Sequence, residues 1–457
     1  MFSTSDTIVA IATPPGRGGI GVVRVSGGDA GRVAAALLEL DVPLQSRHAT
    51  FARVNGDQVV ATYFPAPHSY TGEHVVEISA HGSPVVLGQI VQDAMIAGAR
   101  LAEPGEFTLR AFLNGRIDLI QAEAVADLID AVTPAQARAA FDQLEGTLTG
   151  RIADIDRDLF DLTALMEASL DFPDEGYHFM EAGEAAGALA AIEHKVTTLL
   201  CEFQRGRLIR EGARVAIAGK PNVGKSSLFN ALVGASRAIV TAAPGTTRDL
   251  VTETADIEGL RLEFIDTAGV RDAGDEVERE GVVRARRAWT TADLVLVVLD
   301  SSQPLDEHDF DLLSETDCMR RLVVANKHDL TPAWTAIDFA EGPAEAGHHL
   351  LSVSSKTGEG LDALRSRLRT SLDGTSGGAA ARDTAAVTNV RHAALLERAR
   401  QALARARESV DAPGGPVPEE FVLTDLNDAR IALEEVTGKR TSEDLLRHIF
   451  SRFCIGK

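Results

Sequence analysis

The sequence lacks the features that mark secreted and membrane-spanning proteins. It has three cysteines in 457 residues, and Cys201, Cys318 and Cys454 lie too far apart to form the spacing of a metal site. No apolar run approaches the roughly 20 residues that a membrane-spanning helix needs. The first residues lack the basic start and apolar core of a secretory signal. We therefore expect a cytoplasmic protein that does not associate with a membrane.

Basic residues are also scarce. The chain carries 45 Lys and Arg against 67 Asp and Glu, a formal net charge of −22. A protein that coats nucleic acid without specificity needs a cationic surface for phosphates, so the charge balance argues against this class but leaves room for a local basic site. The stretch 438–457 is locally basic, with five basic and two acidic residues. Its composition favours a solvated helix face.

The length exceeds what one hydrophobic core supports and indicates two to four domains. Short strands and turns alternate in the first part, two Ala- and Leu-rich stretches have helical periodicity, and an α/β pattern lies between them. We predict an N-terminal α+β domain at 1–118, a helical domain in two parts at 119–212 and 376–457, and an α/β domain inserted at 213–375. Two separate small helical bundles remain an open alternative.

Local patterns predict the main elements. Buried strands are expected at 7–12, 21–25 and 75–78, and then at 215–218, 262–265, 294–298 and 322–325. Helices are expected at 84–99, 134–170, 183–208, 390–410, 419–436 and 441–453, the last with a capping-box start at Thr441-Ser442-Glu443-Asp444. Gly16 to Gly21 match a dinucleotide-binding string, but a strand follows them where a helix is required, which favours a hairpin turn.

The chemistry begins at a glycine-rich loop, 219–226, placed between a predicted strand and a predicted helix. Its glycines let backbone N–H groups point at phosphate oxygens, and the helix N-terminus adds positive potential. Lys225 would reach the β- and γ-phosphates and the Ser226 hydroxyl would ligate Mg²⁺. The predicted phosphate contacts are Asn222, Val223, Gly224, Lys225, Ser226 and Ser227.

Four more elements follow in the order typical of guanine-nucleotide-binding domains. In the loop Gly245-Thr246-Thr247, Thr247 would complete the Mg²⁺ coordination. Asp266-Thr267-Ala268-Gly269 would place an acid near the metal and a glycine N–H near the γ-phosphate. In Asn326-Lys327-His328-Asp329, the Asp329 carboxylate can accept from guanine N1–H and the exocyclic amine together. Ser354-Ser355-Lys356 can offer N–H groups to guanine O6. The five elements predict a Ras-like P-loop G domain that binds and hydrolyses GTP.

One position departs from the Ras pattern. Ras-like enzymes place a glutamine after the Asp-x-x-Gly motif to orient the attacking water, and here that position is Val270. Either hydrolysis is slow or a polar residue from elsewhere orients the water.

Beyond the nucleotide motifs, the sequence resembles the MnmE (TrmE) family of tRNA-modification GTPases along nearly its whole length. The resemblance is carried by short segments outside the nucleotide motifs. These are Asp6 to Ala10, Thr13 to Gly19, Tyr70-Thr71-Gly72-Glu73, Pro104-Gly105-Glu106-Phe107, Phe112 to Leu119, Ala122 to Asp130, Asp171-Phe172-Pro173 and Phe453-Cys454-Ile455-Gly456-Lys457.

The resemblance implies a potassium-activated GTPase that forms a homodimer through its G domains. The implied K⁺ ligands are Asn222, Thr241, Ala243 and Thr246, and the implied GTP contacts include Thr241, Ala242, Ala243, Pro244 and Gly245. A cation beside the phosphates would supply the charge that an arginine finger supplies elsewhere. The family's water-orienting glutamate corresponds to Glu278, which would fill the role that Val270 leaves vacant.

The resemblance also implies a second chemistry. The family binds a folate one-carbon donor, 5,10-methylenetetrahydrofolate or 5-formyltetrahydrofolate, and the matching contacts are Arg24, Glu77, Arg116 and Lys457. With the FAD-dependent partner MnmG (GidA), in a heterotetramer-type complex, the family adds a carboxymethylaminomethyl-type group at C5 of the wobble uridine of certain tRNAs. The family's C-terminal cysteine corresponds to Cys454, for which a chemical and a purely structural role both stay open.

Two alternatives remain at this point. A ribosome-assembly GTPase would share the Pro-Asn phosphate loop and the apolar residue after Asp-x-x-Gly, but would carry an RNA-binding module or a second G domain, and the sequence contains neither. A third hypothesis makes the N-terminal region an independent folate enzyme fused to a GTP-dependent switch.

Overall fold

The structure, a computed structural model, describes residues 5–40, 43–171, 182–234, 252–265, 289–334, 350–373, 387–411 and 419–456. It divides into two compact units. The first comprises Met1–Ala126, Gln143–Val196 and Leu395–Lys457, and the second comprises Asp127–Asp142 and Thr197–Ala394. In the described ranges no helix is long and apolar enough to cross a membrane.

The first unit contains a six-stranded sheet in the order β3-β4-β5-β2-β1-β6, antiparallel except for the parallel pair β1–β6. Its alternating residues separate the two faces, because successive side chains of a strand point to opposite sides. The strands are β1 Ile8–Ile11, β2 Ile20–Ser26, β3 Thr50–Val54, β4 Asp57–Phe64, β5 Val75–His81 and β6 Arg100–Leu101. The hairpin predicted around Gly16 to Gly21 is confirmed, since β1 and β2 pair antiparallel.

Two helices cover one face of this sheet and a third covers part of the other. Helices α1 (Ala30–Leu37) and α2 (Pro84–Ile96) bury an aliphatic core that includes Val23 and Ile78. Helix α3 (Glu106–Leu113) places the fully buried Phe107 against β1. On the face that α3 partly covers, the part of the sheet left open carries Arg24 and Glu77, which are paired neighbours on β2 and β5.

The remaining helices follow the predicted periodicity closely. They are α4 Leu119–Asp130, α5 Pro134–Leu144, α6 Thr147–Asp171, α7 Ala182–Glu211, α11 Val390–Val410, α12 Glu419–Thr437 and α13 Glu443–Phe450. In the first unit α6 and α12 pack together, and the Arg430 guanidinium lies 5.4 Å from the centroid of the Phe160 ring. The two helical stretches that flank the α/β part of the sequence therefore meet, as one discontinuous helical domain requires.

Two helical predictions need refinement. The helical stretch expected over 134–170 forms two helices, interrupted at Glu145 and Gly146, where Gly146 has a φ of +84° that a helix cannot adopt. The last helix begins two residues later than expected. Its N-cap is Ser442, whose hydroxyl accepts from the Leu445 N–H, and no reciprocal acidic side chain completes a capping box there.

The C-terminal tail returns to the N-terminal sheet. Ile455 forms an antiparallel bridge with Pro104, and the Gly105 N–H donates to the Cys454 carbonyl at 3.4 Å. Gly456 has a φ of +98°, and a Cβ built on it would lie 2.0 Å from the Ile11 carbonyl oxygen. Only glycine fits this position, because both the backbone angle and the space exclude a side chain.

The second unit contains a six-stranded sheet in the order β12-β11-β10-β7-β9-β8. All neighbouring pairs are parallel except β8–β9, and the buried apolar runs predicted for parallel strands are confirmed. The strands are β7 Ala213–Ala218, β8 Thr252–Ile257, β9 Leu260–Ile265, β10 Leu294–Asp300, β11 Arg321–Asn326 and β12 Leu350–Ser352. The described helices that accompany them are α8 Lys225–Val233, α9 Glu307–Glu315 and α10 Leu361–Asp373. Ligands bind such sheets at the carboxyl ends of the strands, at the point where the strand order reverses. That point lies at β7, which has β10 on one side and β9 on the other.

Candidate functional site

The glycine-rich loop leaves the carboxyl end of β7 and enters α8, as the sequence predicts. Gly224 is the N-cap of α8, with a φ of +96°, and a Cβ on it would lie 2.3 Å from Nδ2 of Asn326. The Lys225 ammonium donates to the carbonyls of Gly219 and Lys220, both at 2.7 Å. The Lys225 ammonium thus lies over the loop, and its N–H groups could donate to phosphate oxygens when a nucleotide binds.

Two polar side chains of this loop are exposed and available to a ligand. Asn222 has a left-handed backbone, with a φ of +65°, and its amide makes no hydrogen bond with the described part of the chain. Ser226, in the first turn of α8, is likewise exposed, and its hydroxyl has no partner among the described residues. An amide oxygen and a hydroxyl are hard oxygen ligands, the type that Mg²⁺ and other hard cations prefer.

The predicted base-recognition residues meet at the ends of β11 and β12. The Ser354 hydroxyl donates to Oδ1 of Asp329 at 2.7 Å, and this hydrogen bond lowers the pKa of the Asp329 carboxyl from its usual 3.8. Oδ1 of Asn326 accepts from both the N–H (3.1 Å) and the hydroxyl (2.8 Å) of Ser355. Asp329 is exposed and ionised at neutral pH, as an acceptor for two guanine donors must be.

Asn326 also joins the base-recognition loop to the phosphate loop. Its side chain is buried, and Nδ2 donates to the Val223 carbonyl at 2.9 Å. The neighbouring Lys327 pairs with Asp300 at 2.6 Å. Burial raises the pKa of Asp300, but hydrogen bonds from Lys327 and Ser302 outweigh this effect and lower it.

One ion cluster beside the phosphate loop is not predicted by the sequence motifs. The Lys220 ammonium lies 2.7 Å from Oδ2 of Asp306 and 2.6 Å from Oδ2 of Asp309, the two acids that form the capping box of α9. Burial lowers the pKa of Lys220, but the two carboxylates outweigh it and raise it. A capping-box Asp-x-x-Asp was visible in the sequence, but nothing in the pattern indicated that Lys220 would reach it.

Several predicted site residues lie outside the described residues and their roles stay predictions. They are the switch-loop residues Thr241, Ala242, Ala243, Pro244, Gly245, Thr246 and Thr247, the motif Asp266, Thr267, Ala268 and Gly269, the position Val270, the candidate Glu278, and Lys457.

A second group of predicted residues assembles on the open face of the N-terminal sheet. Nε and Nη2 of Arg24 lie 2.9 Å and 2.8 Å from Oε1 of Glu77. The Arg24 guanidinium also lies over two aromatic rings, 5.2 Å from the centroid of Tyr70 and 5.6 Å from that of Phe107. The family resemblance implied that Arg24 and Glu77 contact folate, but the sequence indicated neither that the two side chains pair with each other nor that Arg24 meets aromatic rings.

The other two described members of the predicted folate set lie close to the same segments. Arg116 is exposed, and its stem lies beside Gly72, where a Cβ would come within 3.1 Å of Arg116 Cγ. The side chain of Asn114 donates to the Thr71 carbonyl at 2.7 Å, so the turn that carries Arg116 rests on the segment that follows Tyr70. Cys454 is a free, exposed cysteine in the docked tail.

The strand order, the phosphate loop and the guanine-recognition loop define the chain as a P-loop GTPase. Comparisons with known proteins identify the family. The model of the MnmE helical domain matches residues 119–454, and that of the N-terminus of the GTP-binding protein TrmE matches residues 7–116.

Full-length relatives agree with the family models. The tRNA modification GTPase MnmE of Koribacter versatilis is 44% identical over 100% of both chains. That of Thiobacillus denitrificans is 44% identical over 99% of this chain and 98% of its own. That of Burkholderia mallei is 45% identical over 100% of both. The chain belongs to the MnmE family of tRNA modification GTPases, and the predictions of this family and of a GTPase are confirmed.

One comparison with a solved structure matches a smaller part. The G domain of the T. maritima FeoB iron transporter is 28% identical, covers 35% of this chain and 98% of its own, and has a TM-score of 0.26. The family assignment does not depend on this overlap. Membership of the MnmE family favours tRNA modification over the ribosome-assembly alternative.

Proposed function

We propose that this chain uses GTP hydrolysis, assisted by Mg²⁺ and K⁺, to drive modification of the wobble uridine of tRNA together with a flavoprotein partner. As part of this proposal we retain the domain division 1–118, 119–212, 213–375 and 376–457. The observation that carries the proposal is the joined nucleotide site, in which Asn326 links an ionised Asp329 to the phosphate loop.

The nucleotide contacts divide by chemistry. Asp329 would select guanine by accepting from its two donors, with the backbone N–H of Lys356 near O6. The N–H groups of Ser354 and Ser355, which the sequence also assigned to O6, donate to the Glu359 carbonyl and to Oδ1 of Asn326. Lys225 and the loop N–H groups would bind the phosphates, with Ser226 and Thr247 on Mg²⁺. The metal, when bound, neutralises charge on the transferred phosphate oxygens.

Potassium would bind at Asn222, with Thr241, Ala243 and Thr246 as the other ligands. The exposed Asn222 amide, which has no hydrogen-bond partner among the residues that the structure describes, supports this assignment. The test is the GTPase rate in KCl and NaCl at equal ionic strength. We expect K⁺ to raise turnover by about tenfold or more, and Asn222→Ala to remove that stimulation. Asn230→Ala, on the helix that follows the phosphate loop and also exposed, is the matched control.

Equal rates of the wild-type protein in both salts would remove K⁺ from the mechanism. Stimulation that survives in Asn222→Ala would instead place the ion elsewhere.

Water would be oriented by Glu278, because Val270 has no polar group for this task. Glu278→Ala should lower turnover by about 100-fold or more with little change in GTP affinity. Glu280→Ala, two positions along the same segment, serves as the control. A Glu278→Ala variant with normal turnover would transfer the role to another acid of that segment.

A folate one-carbon donor would bind at the Arg24–Glu77 pair, with Arg116 and Lys457 as further contacts. The pair offers a donor edge and an acceptor edge side by side, which suits the donors and acceptors of a pterin ring. Calorimetric titration of the full chain with 5-formyltetrahydrofolate tests this assignment. Binding that is lost in Arg24→Ala supports it, and no binding to the wild-type chain overturns it.

The assembly would be a homodimer that joins an MnmG (GidA) flavoprotein carrying FAD, with tRNA as the shared substrate. The net charge of −22 leads us to assign most tRNA phosphate contacts to the partner. Mass analysis of wobble uridines in cells lacking this protein tests the modification. Unmodified uridine that returns to the modified form on re-expression supports the proposal, and fully modified uridine in the deletion strain overturns it.

A further inference from the structure

The Arg24 side chain is held by two aromatic residues from different elements. Tyr70 lies in the loop between β4 and β5, whereas Phe107 lies in the first turn of α3, and both rings are within 6 Å of the guanidinium carbon. A guanidinium at this distance from a ring face is attracted by the ring quadrupole. Arg24 keeps 19% of its side chain exposed, so part of its edge still reaches solvent.

The Tyr70 ring is itself fixed in place. Its hydroxyl is 2.8 Å from Oγ1 of Thr108, which is fully buried next to Phe107. Desolvation raises the pKa of the Tyr70 hydroxyl above 10.0, despite the opposing effects of Thr108 and Arg24. The phenol is therefore neutral at physiological pH and does not compete with Glu77 for the charge of Arg24.

The arrangement leaves defined groups for a ligand. Both contacts from Arg24 go to the same oxygen of Glu77, Oε1. In the described ranges, Nη1 of Arg24 and Oε2 of Glu77 have no hydrogen-bond partner, so the two N–H groups of Nη1 and one carboxylate oxygen can meet a ligand. Tyr70 remains 37% exposed beside them, which gives the pair an aromatic wall.

We propose that Tyr70 is a positioning residue of the folate site, and that it acts by holding the Arg24 guanidinium with its ring face. The inference depends on the folate binding proposed above. Tyr70 is not among the four charged residues proposed to contact folate; its function would be to orient one of them, Arg24. Without the ring, Arg24 keeps its charge and its pairing with Glu77, but its free edge loses the orientation that a planar pterin requires.

Three substitutions at one position separate the ring from the hydroxyl. Tyr70→Phe keeps the ring and removes the hydrogen bond to Thr108, and should bind 5-formyltetrahydrofolate within about threefold of wild type. Tyr70→Leu keeps an apolar side chain without a π face, and should bind about tenfold more weakly. Tyr70→Trp restores a ring and should recover much of the affinity. Titration calorimetry of the full chain measures all three, and thermal melting checks that each is folded.

Tyr63→Leu is the matched control. Tyr63 is also hydrogen-bonded, to His74 at 2.7 Å, but it packs on the sheet face that α1 and α2 cover. It should leave folate affinity unchanged.

Failure of folate binding and failure of the Tyr70 role give different results. No folate binding by the wild-type chain rejects the folate site itself. Wild-type binding with an equally tight Tyr70→Leu variant rejects only the role of Tyr70. A Tyr70→Phe variant as weak as Tyr70→Leu also rejects it, because the hydroxyl and not the ring would then be responsible.

Discussion

The side-chain amide of Asn326 donates to the backbone carbonyl of Val223 at 2.9 Å, and thereby ties the guanine-recognition loop to the phosphate loop. The two loops are more than a hundred positions apart in the sequence, yet one buried amide holds both. Nucleotide affinity should therefore depend on Asn326 even though its role is to position other groups.

Replacing Asn326 with alanine should weaken GTP and GDP binding by about 10- to 100-fold. The change leaves the Val223 carbonyl and the Ser355 N–H without their buried partners, at a cost of about 1–3 kcal/mol each. Competition against a fluorescent GDP analogue measures the loss. His328→Ala is the control, because His328 is exposed in the same loop. Similar affinities for the two variants would contradict the predicted linkage.

Replacing Asp329 with asparagine should change the preferred base. The amide presents only one acceptor to the two guanine donors, so GTP affinity should fall by about 100-fold or more. Xanthosine triphosphate has a carbonyl where guanine has its amine, and should bind the variant better than GTP does. A hydrolysis assay with both nucleotides measures the exchange. An Asp329→Asn variant that still prefers GTP would show that another group selects the base.

The buried Arg110 should contribute strongly to stability. Its guanidinium is 1% exposed and contacts the carboxylates of Asp6, Glu73 and Glu106. Arg110→Met should destabilise the first unit by about 3–5 kcal/mol, because it leaves buried carboxylates unpaired. Denaturant unfolding measures the change. Arg32→Met, which breaks the exposed pair with Asp29, should have little effect. Equal loss in the two variants would contradict the importance of burial.

The same cluster predicts the direction of acid sensitivity. Burial raises the pKa of Glu106, but hydrogen bonds from Arg100, the Glu103 N–H and Arg110 outweigh it and lower the pKa below 4.5; that of Asp6 is lowered below 3.8 in the same way. Carboxyls with a depressed folded-state pKa stabilise the fold above their unfolded values. The stability that this cluster contributes should therefore be constant near neutrality and fall as the pH drops below about 4.5. The difference in unfolding free energy between wild type and Arg110→Met, followed from pH 7 to pH 3, tests this, and a difference that begins to shrink near pH 6 would contradict it.

Replacing Gly456 with alanine should undock the C-terminal tail. The added Cβ would lie 2.0 Å from the Ile11 carbonyl, a distance that the backbone cannot accommodate. Hydrogen exchange of the Gly105 N–H, which donates to the Cys454 carbonyl, should become faster. Gly31→Ala is the control, because nothing lies within 4 Å of its built Cβ. Unchanged exchange at Gly105 would show that the tail adapts.

The phosphate loop and the Asp329 loop lie where the sequence predicts them, at the ends of strands, because each motif encodes local backbone chemistry. Gly224, Lys225 and Asp329 act through the turn or strand end that carries them, and the order of the motifs fixes the order of the strands. The fold class followed from the same periodicities.

The contacts that were not predicted join residues distant in the sequence. Arg110 and Asp6 are 104 positions apart, and Lys220 and Asp309 are 89 apart. The contact between Tyr70 and Arg24 depends equally on how separate strands, loops and helices pack. A sequence pattern reports which side chains share a face of one element, but it does not report which of them meet across the fold.

The docked C-terminal tail bears on the order in which the parts of the chain fold. The contact of Gly456 with Ile11 closes a loop of nearly the whole chain, and closing that loop costs less entropy once the intervening parts have folded, because the flexible loop is then shorter. Because the contacts of Gly456 with Ile11 and of Ile455 with Pro104 join residues that are far apart in the sequence, we expect them to form late. Docking of the tail should therefore be a late step in the folding of the first unit, after the strand β1 that receives it has formed.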